Sequence, residues 1–148
     1  MLKEIVTLIH DFTGWTIGTR LQHGHALQDM PVRAVLIQET GGEVNFYCTD
    51  MVNMTIQVLC RGAKYSEAHD DAWTVFGYFH GTSNWEMPRL DGVSGENYLA
   101  MTVEALAAPQ YLGVDDNRRH LFSCNYVWRM ELGSCGESGS GSGGMGVI

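Results

Sequence analysis

The chain has 148 residues, of which 45% are hydrophobic and 18% are charged, and its formal net charge is -8 at pH 7. This composition is that of a folded domain with a core, which excludes a disordered chain, and the length fits one domain. The acidic balance also excludes a general basic surface for binding nucleic acid phosphates.

The segment from Met1 to Phe12 predicts a short amphipathic helix. Its apolar residues recur at three- and four-residue steps, and Gly14 follows as a stop signal. The segment lacks the basic start and apolar core of a signal peptide. No stretch approaches the ~20 apolar residues of a membrane span, so we expect no membrane partner. Gly14 to Pro31 is polar and predicts a loop, with one short strand around Trp15 to Arg20.

Three strands are predicted before the second helix. Val32 to Glu39 is rich in β-branched residues and predicts the first of them. Gly41-Gly42 is expected to form a turn, after which Val44 to Cys48 returns as the second strand of a hairpin. The third strand covers Met54 to Arg61, where apolar and polar residues alternate.

A second amphipathic helix is predicted directly after the third strand. Ser66 is its expected N-cap, and the acidic residues that follow suit the positive end of the helix dipole. Gly81 is expected just past its C-terminal end. Gly77 inside the helix predicts a close approach between helix and sheet, because glycine is otherwise costly there. The apolar positions at helical spacing are Ala68, Ala72, Val75, Phe76 and Phe79.

The last predicted elements are a long loop and two long strands. The loop runs from Thr82 to Gly95, and the first of the two strands from Tyr98 to Leu106. A turn at Pro109 to Arg119 separates it from the strand at His120 to Leu132, which has the clearest alternation in the chain. The expected buried face of the first strand is Leu99, Met101, Val103 and Ala105. The expected buried face of the second is Phe122, Cys124, Tyr126, Trp128, Met130 and Leu132.

Together these elements predict an α+β fold, a mainly antiparallel mixed sheet of about five strands with two helices packed on one face. The folded domain is expected to cover residues 1–132. Residues 133–148 are rich in Gly and Ser and predict a C-terminal tail, either a flexible segment or an expression remnant. Such a segment has no core of its own, so order in it would have to come from a neighbouring subunit.

No catalytic, cofactor or metal site is predicted. The chain has no G-x-S-x-G elbow, no phosphate-binding glycine loop and no H-E-x-x-H pair. His23 and His25 could share a metal ion, but no third ligand lies nearby, so ordinary loop histidines are the favoured interpretation. The four cysteines include no C-x-x-C pair, and Cys60 and Cys124 fall on apolar strand faces. We therefore expect free thiols in the core.

Five residues are candidates for a protein interface. Asp115 and Asp116 could bind a cation, but a tight turn is favoured because Asp side chains bond their own backbone. Arg118 and Arg119 either pair with these aspartates, contact a partner or are solvated. Trp85 is either a plug of the core or an interface anchor, and the sequence leaves both interpretations open.

The chain resembles the tail terminator family of long-tailed bacteriophages, also described as tail completion or minor capsid proteins. The similarity covers Met1 to Leu132, the whole predicted domain. Its segments are, in order, LKEIVTLIHDF, VRAVLIQETGG, TIQVLCRG, YSEAHDDAWTVFGYFHG, the P-Q-Y-L-G-x-D turn and RHLFSCNYVWRMEL. The chain departs from a minimal member of the family in its Gly14 to Met30 loop and in its Gly/Ser tail.

The resemblance implies a structural virion protein of the head–tail junction, assembled in the host cytoplasm. Family members form a hexameric ring that caps the finished tail tube, stops its polymerisation and joins the tail to the head or neck. The implied partners are other copies of the chain, the tail tube protein and head-side connector or neck proteins. Genomic DNA would pass through the lumen without specific binding, and acidic residues there would repel its phosphates. The family implies no catalytic residue and no cofactor.

Three other functions remain open from the sequence. One is a different head–tail connector or head-completion protein, the second a monomeric adaptor module and the third a small enzyme. A ring needs two different complementary surfaces on each subunit, whereas an enzyme needs a pocket with convergent titratable groups.

Overall fold

The computed structural model describes residues 2–24, 31–44, 51–88 and 97–131, and these residues form two helices and seven strands. The helices are α1 (Leu2–Thr13) and α2 (Tyr65–Phe79). The strands are β1 (Leu21–His23), β2 (Ala34–Val44), β3 (Met51–Gly62), β4 (Thr82–Pro88), β5 (Asn97–Ala105), β6 (Gln110–Val114) and β7 (His120–Glu131). No helix in these ranges is long and apolar enough to cross a membrane.

One mixed sheet contains all seven strands, in the order β1-β2-β3-β7-β5-β4. β6 lies off this path and pairs with the first part of β7, whereas β5 pairs with its second part. The pairing of β1 with β2 is parallel, and every other pairing is antiparallel. The α+β class is therefore confirmed, but about five strands was too few, because three short strands lie in segments predicted to be irregular.

β4 and β6 replace a predicted loop and a predicted turn. Thr82–Pro88 pairs along β5, so the segment around Trp85 is extended and not a loop; residues 89–96 lie outside the described ranges. Gln110–Val114 pairs with β7, so the true turn is shorter than predicted. The strand expected around Trp15 to Arg20 is also wrong. A single bridge joins Ile17 to Leu21 there, and β1 begins at Leu21.

β2 continues through the glycine pair at which a hairpin turn was predicted. Gly41 and Gly42 form a bulge, where the pairing with β3 shifts register. Both have positive φ, 105° and 151°, and Gly42 lies against the backbone carbonyl of Asn53, so a side chain would collide there. The chain connecting β2 to β3, including predicted strand residues 45–48, lies outside the described ranges.

The predicted buried face of β7 is confirmed as far as the structure describes it, whereas that of β5 is only partly correct. Along β5 the pairing with β7 shifts between Ala100 and Thr102. The shift buries Ala100 with Val103 and turns Met101 outward, so the simple alternation fails in mid-strand. The buried residues of β7 are Phe122, Cys124, Tyr126, Trp128 and Met130.

α2 begins slightly earlier than predicted and makes its close contact elsewhere. Its N-cap is Lys64 and not Ser66, and the Lys64 backbone N–H donates to the Glu67 carboxylate at 3.3 Å. Gly77 is exposed with open space around it, so the predicted close approach at Gly77 is wrong. The close approach occurs at Gly62, where an added Cβ would lie 2.8 Å from Cβ of Glu67.

The main core joins both helices to the sheet. α1 packs on β1 and β2, and α2 packs on β3, β7 and β5. Buried side chains of both helices belong to one apolar cluster, at the centre of which Phe79 meets Tyr126 and Trp128 edge to face. Each such fully buried side chain contributes roughly 1.5–3 kcal/mol by leaving water. This packing fixes α2 above β7 and so positions the surfaces described next.

Candidate assembly interface

Asp115 holds the turn between β6 and β7. Its Oδ1 accepts hydrogen bonds from the backbone N–H groups of Asn117 and Arg119, both at 2.9 Å, and its Oδ2 accepts one from Arg119 Nε at 2.9 Å. These bonds, led by that from the Arg119 backbone, hold the pKa of Asp115 below its ordinary value because they favour the ionised form. The prediction of a tight turn is thus confirmed, and the Asp115 carboxylate accepts hydrogen bonds within the turn.

The tip of this turn leaves two charged side chains exposed. The Arg118 N–H donates to the Asp115 carbonyl at 3.0 Å, and Arg118 has a φ of 60°. The side chains of Arg118 and Asp116 project into solvent and form no hydrogen bond or ion pair with the described residues. Arg119, by contrast, pairs with Asp115. The structure therefore separates the two arginines that the sequence treated together.

Trp85 packs toward the core. It lies on β4, is half-buried, and its ring centroid lies 4.9 Å from that of Tyr78, 5.8 Å from that of Phe79 and 5.9 Å from that of Trp128. These contacts are those of a core plug with one open side. A role for Trp85 in an interface stays a prediction.

A buried arginine connects the end of β3 to the start of β2. Arg61 is 1% exposed and donates hydrogen bonds to the carbonyl oxygens of Pro31 and Val32, at 2.6 and 3.1 Å. Burial lowers the pKa of Arg61, since a charge is less well solvated there, and the nearby Arg119 lowers it further. Arg61 was not singled out from the sequence because it lies within a strand pattern.

One aspartate and two arginines form an ion-pair cluster that joins α2 to the segments before β1 and β2. The buried Asp71 carboxylate lies 2.9 Å from Nη2 of Arg20 and 2.9 Å from Nη2 of Arg33. The Arg20 guanidinium also stacks over the ring of Trp15, 4.6 Å from its centroid. No local sequence pattern predicts this group, because the partners lie 51 and 38 residues apart.

A continuous row of aromatic side chains runs along the outer flank of α2 and onto β6 and the start of β7. Neighbouring rings in the row lie between 4.9 and 6.1 Å apart, measured between centroids. The row joins α2 to the sheet edge formed by β6 and the end of β5, because Tyr65 of α2 contacts Tyr111 of β6 and His80 accepts the Ala105 N–H at 3.1 Å. We call this set the aromatic row: Tyr65, His69, Trp73, Phe76, His80, Tyr111 and His120.

Much of the aromatic row is open to solvent. Trp73 and Tyr111 are each 41% exposed, and Tyr65 is 48% exposed. Leu112 and Val114, near Tyr111 on β6, are more than half exposed. Trp and Tyr are enriched at sites where proteins bind one another, so the aromatic row is a candidate for such a site. The spacing of four, four, three and four residues along α2 could have revealed it.

The described residues contain no group of three His, Cys, Asp or Glu side chains that could hold a metal ion, and His25 lies outside them. Cys60 and Cys124 are free and buried, as predicted. Burial raises the pKa of both thiols, so they are protonated at neutral pH. Cys48 and Cys135 lie outside the described ranges.

Comparison with known protein families gives a match over most of the chain. The family model described as bacteriophage tail terminator protein matches residues 17–131, which is most of the chain. The chain belongs to the bacteriophage tail terminator family. The resemblance drawn from the sequence is thereby confirmed, and the chain is a structural component of a phage tail. The terminator match contains all seven strands, α2 and the whole aromatic row, and it begins after α1. None of the curated proteins compared with the chain matches it.

Proposed function

We propose that this tail terminator protein forms a hexameric ring on the head-proximal end of the tail tube, ends tube polymerisation and joins the tail to the head or neck. The family match over residues 17–131 carries the proposal. In this role the chain is a minor structural protein without catalytic activity. It assembles in the host cytoplasm and stays in the virion at the head–tail junction.

The surfaces of the subunit support an assembly role. A closed ring requires two different surfaces that complement each other on neighbouring subunits. The aromatic row and the exposed charges of Arg118 and Asp116 are available for such contacts. Trp85, Asp115 and Arg119 support these surfaces from within, because they pack or pair inside the subunit.

The negative net charge of the chain is compatible with a ring through which DNA passes. In a chain with a net charge of -8, acidic residues that face the lumen of the ring would repel DNA phosphates. The genome would then pass without being held. The folded domain of residues 1–132 would form the ring, and the Gly/Ser tail of residues 133–148 would extend from it as a separate segment.

The test is deletion of the gene from its phage, with the wild-type gene supplied from a plasmid as the matched control. Electron micrographs of the deletion lysate should show tubes of abnormal length and tails without heads, and the plasmid should restore normal particles. Normal virions in the deletion lysate would overturn the proposal. Tails of normal length that fail to join heads would instead favour a different neck or head-completion role.

A further inference from the structure

We infer that His80 and Ala105 form an acid-sensitive latch between the C-terminal end of α2 and the end of β5. The latch is one hydrogen bond, from the Ala105 backbone N–H to Nδ1 of His80, and it exists only while the imidazole is neutral. This device belongs to the fold of the single subunit, so the inference is independent of the proposed ring.

The latch lies at the corner where the chain leaves α2 and enters β4. His80 directly follows the helix, and its Nδ1 accepts the Ala105 N–H at 3.1 Å. The next residue, Gly81, donates its backbone N–H to the Val103 carbonyl at 3.0 Å, and the pairing of β4 with β5 begins with Thr82 opposite Val103. The imidazole therefore satisfies a donor on the edge of β5 that the strand β4 does not reach.

The direction of this bond determines the protonation state of His80. A backbone N–H can only donate, so Nδ1 must offer a lone pair, and the single proton of the neutral ring is on Nε2. A second proton on Nδ1 turns the acceptor into a donor, and the bond to Ala105 is lost. Histidine changes its charge between about pH 5 and 8. The latch is therefore closed at the upper end of this range and opens as the pH falls.

Three other described histidines have bonds that survive protonation. Nδ1 of His10 lies 2.7 Å from the Trp15 carbonyl oxygen, which can only accept, so this bond requires the N–H that a protonated ring retains. Nδ1 of His69 lies 3.3 Å from a carboxylate oxygen, and Nδ1 of His120 lies 2.8 Å from a tyrosine hydroxyl, which can donate or accept. Of these four rings, only that of His80 has a partner that can only donate.

The other surroundings of His80 allow it to take up a proton. The side chain is exposed to solvent, and its ring stacks on Phe76, with centroids 4.9 Å apart and planes inclined by 14°. A cationic ring keeps such a stack. α2 has no basic residue in its last turn, and the negative end of the helix dipole favours a cation there. Protonation therefore breaks the bond to Ala105 without expelling the ring.

No charged side chain of the described residues in β4 or β5 faces the imidazole. Glu104 is the one charged residue of β5, and it lies on the strand face opposite to Ala105, where it is 3.7 Å from Arg129. Glu86 is the one charged residue of β4, and it pairs with Leu99 near the other end of β5. The last two turns of α2 contain no charged residue. A pH-dependent change in the Ala105 bond would therefore originate in His80 itself.

The experiment measures hydrogen exchange of single backbone amides by NMR in the full-length wild-type chain, at about pH 8 and about pH 5. Each rate is corrected for the intrinsic rate at that pH. Protection of the Ala105 amide should fall roughly two- to tenfold in acid, the change expected for the loss of one neutral hydrogen bond. The Leu106 amide is the internal control, because it donates to the Asn125 carbonyl at 2.8 Å and should change less than about twofold.

Two variants assign the effect to the imidazole. In His80→Gln the side-chain oxygen can accept the Ala105 N–H but does not titrate, so protection of Ala105 should be the same at both pH values. His10→Gln removes another histidine and should keep the wild-type loss at Ala105.

Constant protection of Ala105 in the wild-type chain would overturn the inference. An equal fall at Ala105 and Leu106 would also overturn it, because it would indicate general opening of the strand. The same loss in His80→Gln as in wild type would exclude His80 as the cause. If His80→Gln does not fold, the comparison of the two amides in the wild-type chain and in His10→Gln decides the question.

Discussion

The carboxylate of Asp71 on α2 lies 2.9 Å from Nη2 of Arg33, and the same oxygen lies 2.9 Å from Nη2 of Arg20. The aspartate side chain is 3% exposed, while the two arginines are 40% and 29% exposed. A buried charge is tolerated when its partners compensate it. Asp71 therefore anchors two otherwise separate segments to one helix.

Replacement of Asp71 by Ala should destabilise the fold by roughly 1–3 kcal/mol, because the hydrogen bonds from two arginines to a buried carboxylate are lost. Urea unfolding followed by fluorescence measures the change. Asp70→Ala is the matched control. Asp70 is the adjacent residue but is exposed, so its replacement should change stability by less than about 0.5 kcal/mol. Equal effects of the two substitutions would contradict the structural role of Asp71.

Replacement of Arg118 by Gly should stabilise the fold by about 1 kcal/mol, since Arg118 has a φ of 60° and glycine adopts that conformation without steric cost. The midpoint of thermal unfolding should rise accordingly. The control is Asp116→Gly in the same turn. Asp116 does not have positive φ, so glycine there only adds freedom to the unfolded chain and should lower the midpoint. A fall in both variants would show that Arg118 makes contacts worth more than its backbone strain.

Protonation of Asp115 in acid should lower the stability of the turn. Its pKa in the folded chain is lowered from 3.8, so its contribution is present above that value and is lost as the pH falls through the folded pKa. Asp115→Asn should therefore be less stable than wild type at neutral pH, and the difference should shrink in acid. Asp116→Asn, at an exposed neighbour, controls for the change in charge. A difference that stays constant into acid would refute this assignment.

Two glycines should respond in opposite ways to replacement by alanine. Gly77→Ala should stabilise α2 by up to about 1 kcal/mol, because the position is helical and open. Gly62→Ala should destabilise the fold by roughly 1–3 kcal/mol, because the new Cβ would lie 2.8 Å from Cβ of Glu67 and 3.0 Å from the Ala68 nitrogen. Chemical denaturation of both variants tests the pair. A stabilising Gly62→Ala would mean that the start of α2 can move away from β3.

The long elements of the fold could be predicted because each has a local, periodic signal. Buried and polar residues alternate along β7, and apolar residues recur at helical spacing in α1, so both were located correctly. The short strands β4 and β6 have no such signal. β4 begins Thr-Ser-Asn, and β6 contains Gly113, so their extended conformation depends on pairing with β5 and β7. The bulges in β2 and β5 were not predicted either, because they too depend on the pairing with neighbouring strands.

The candidate site was predicted less completely than the fold. The turn chemistry of Asp115 is local and was identified, and the pairing of Arg119 with it was one of the alternatives considered. The aromatic row was not predicted, although its helical spacing is visible, because the apolar stripe of α2 is the stronger periodic signal. The group around Asp71 could not be found at all. It depends on three distant segments meeting, and a single sequence contains no local sign of that.

The position of β7 has a consequence for how the sheet can be completed during synthesis. β7 is the last described strand in the chain, yet it lies between β3 and β5, and it pairs with β3 along its whole length and with β5 over residues 126–131. Until residues 120–131 leave the ribosome, β3 and β5 each have an open edge toward the other, and the aromatic centre lacks Tyr126 and Trp128. A premature stop before His120 therefore removes the middle of the sheet, and the truncated product should aggregate instead of folding as a slightly smaller subunit.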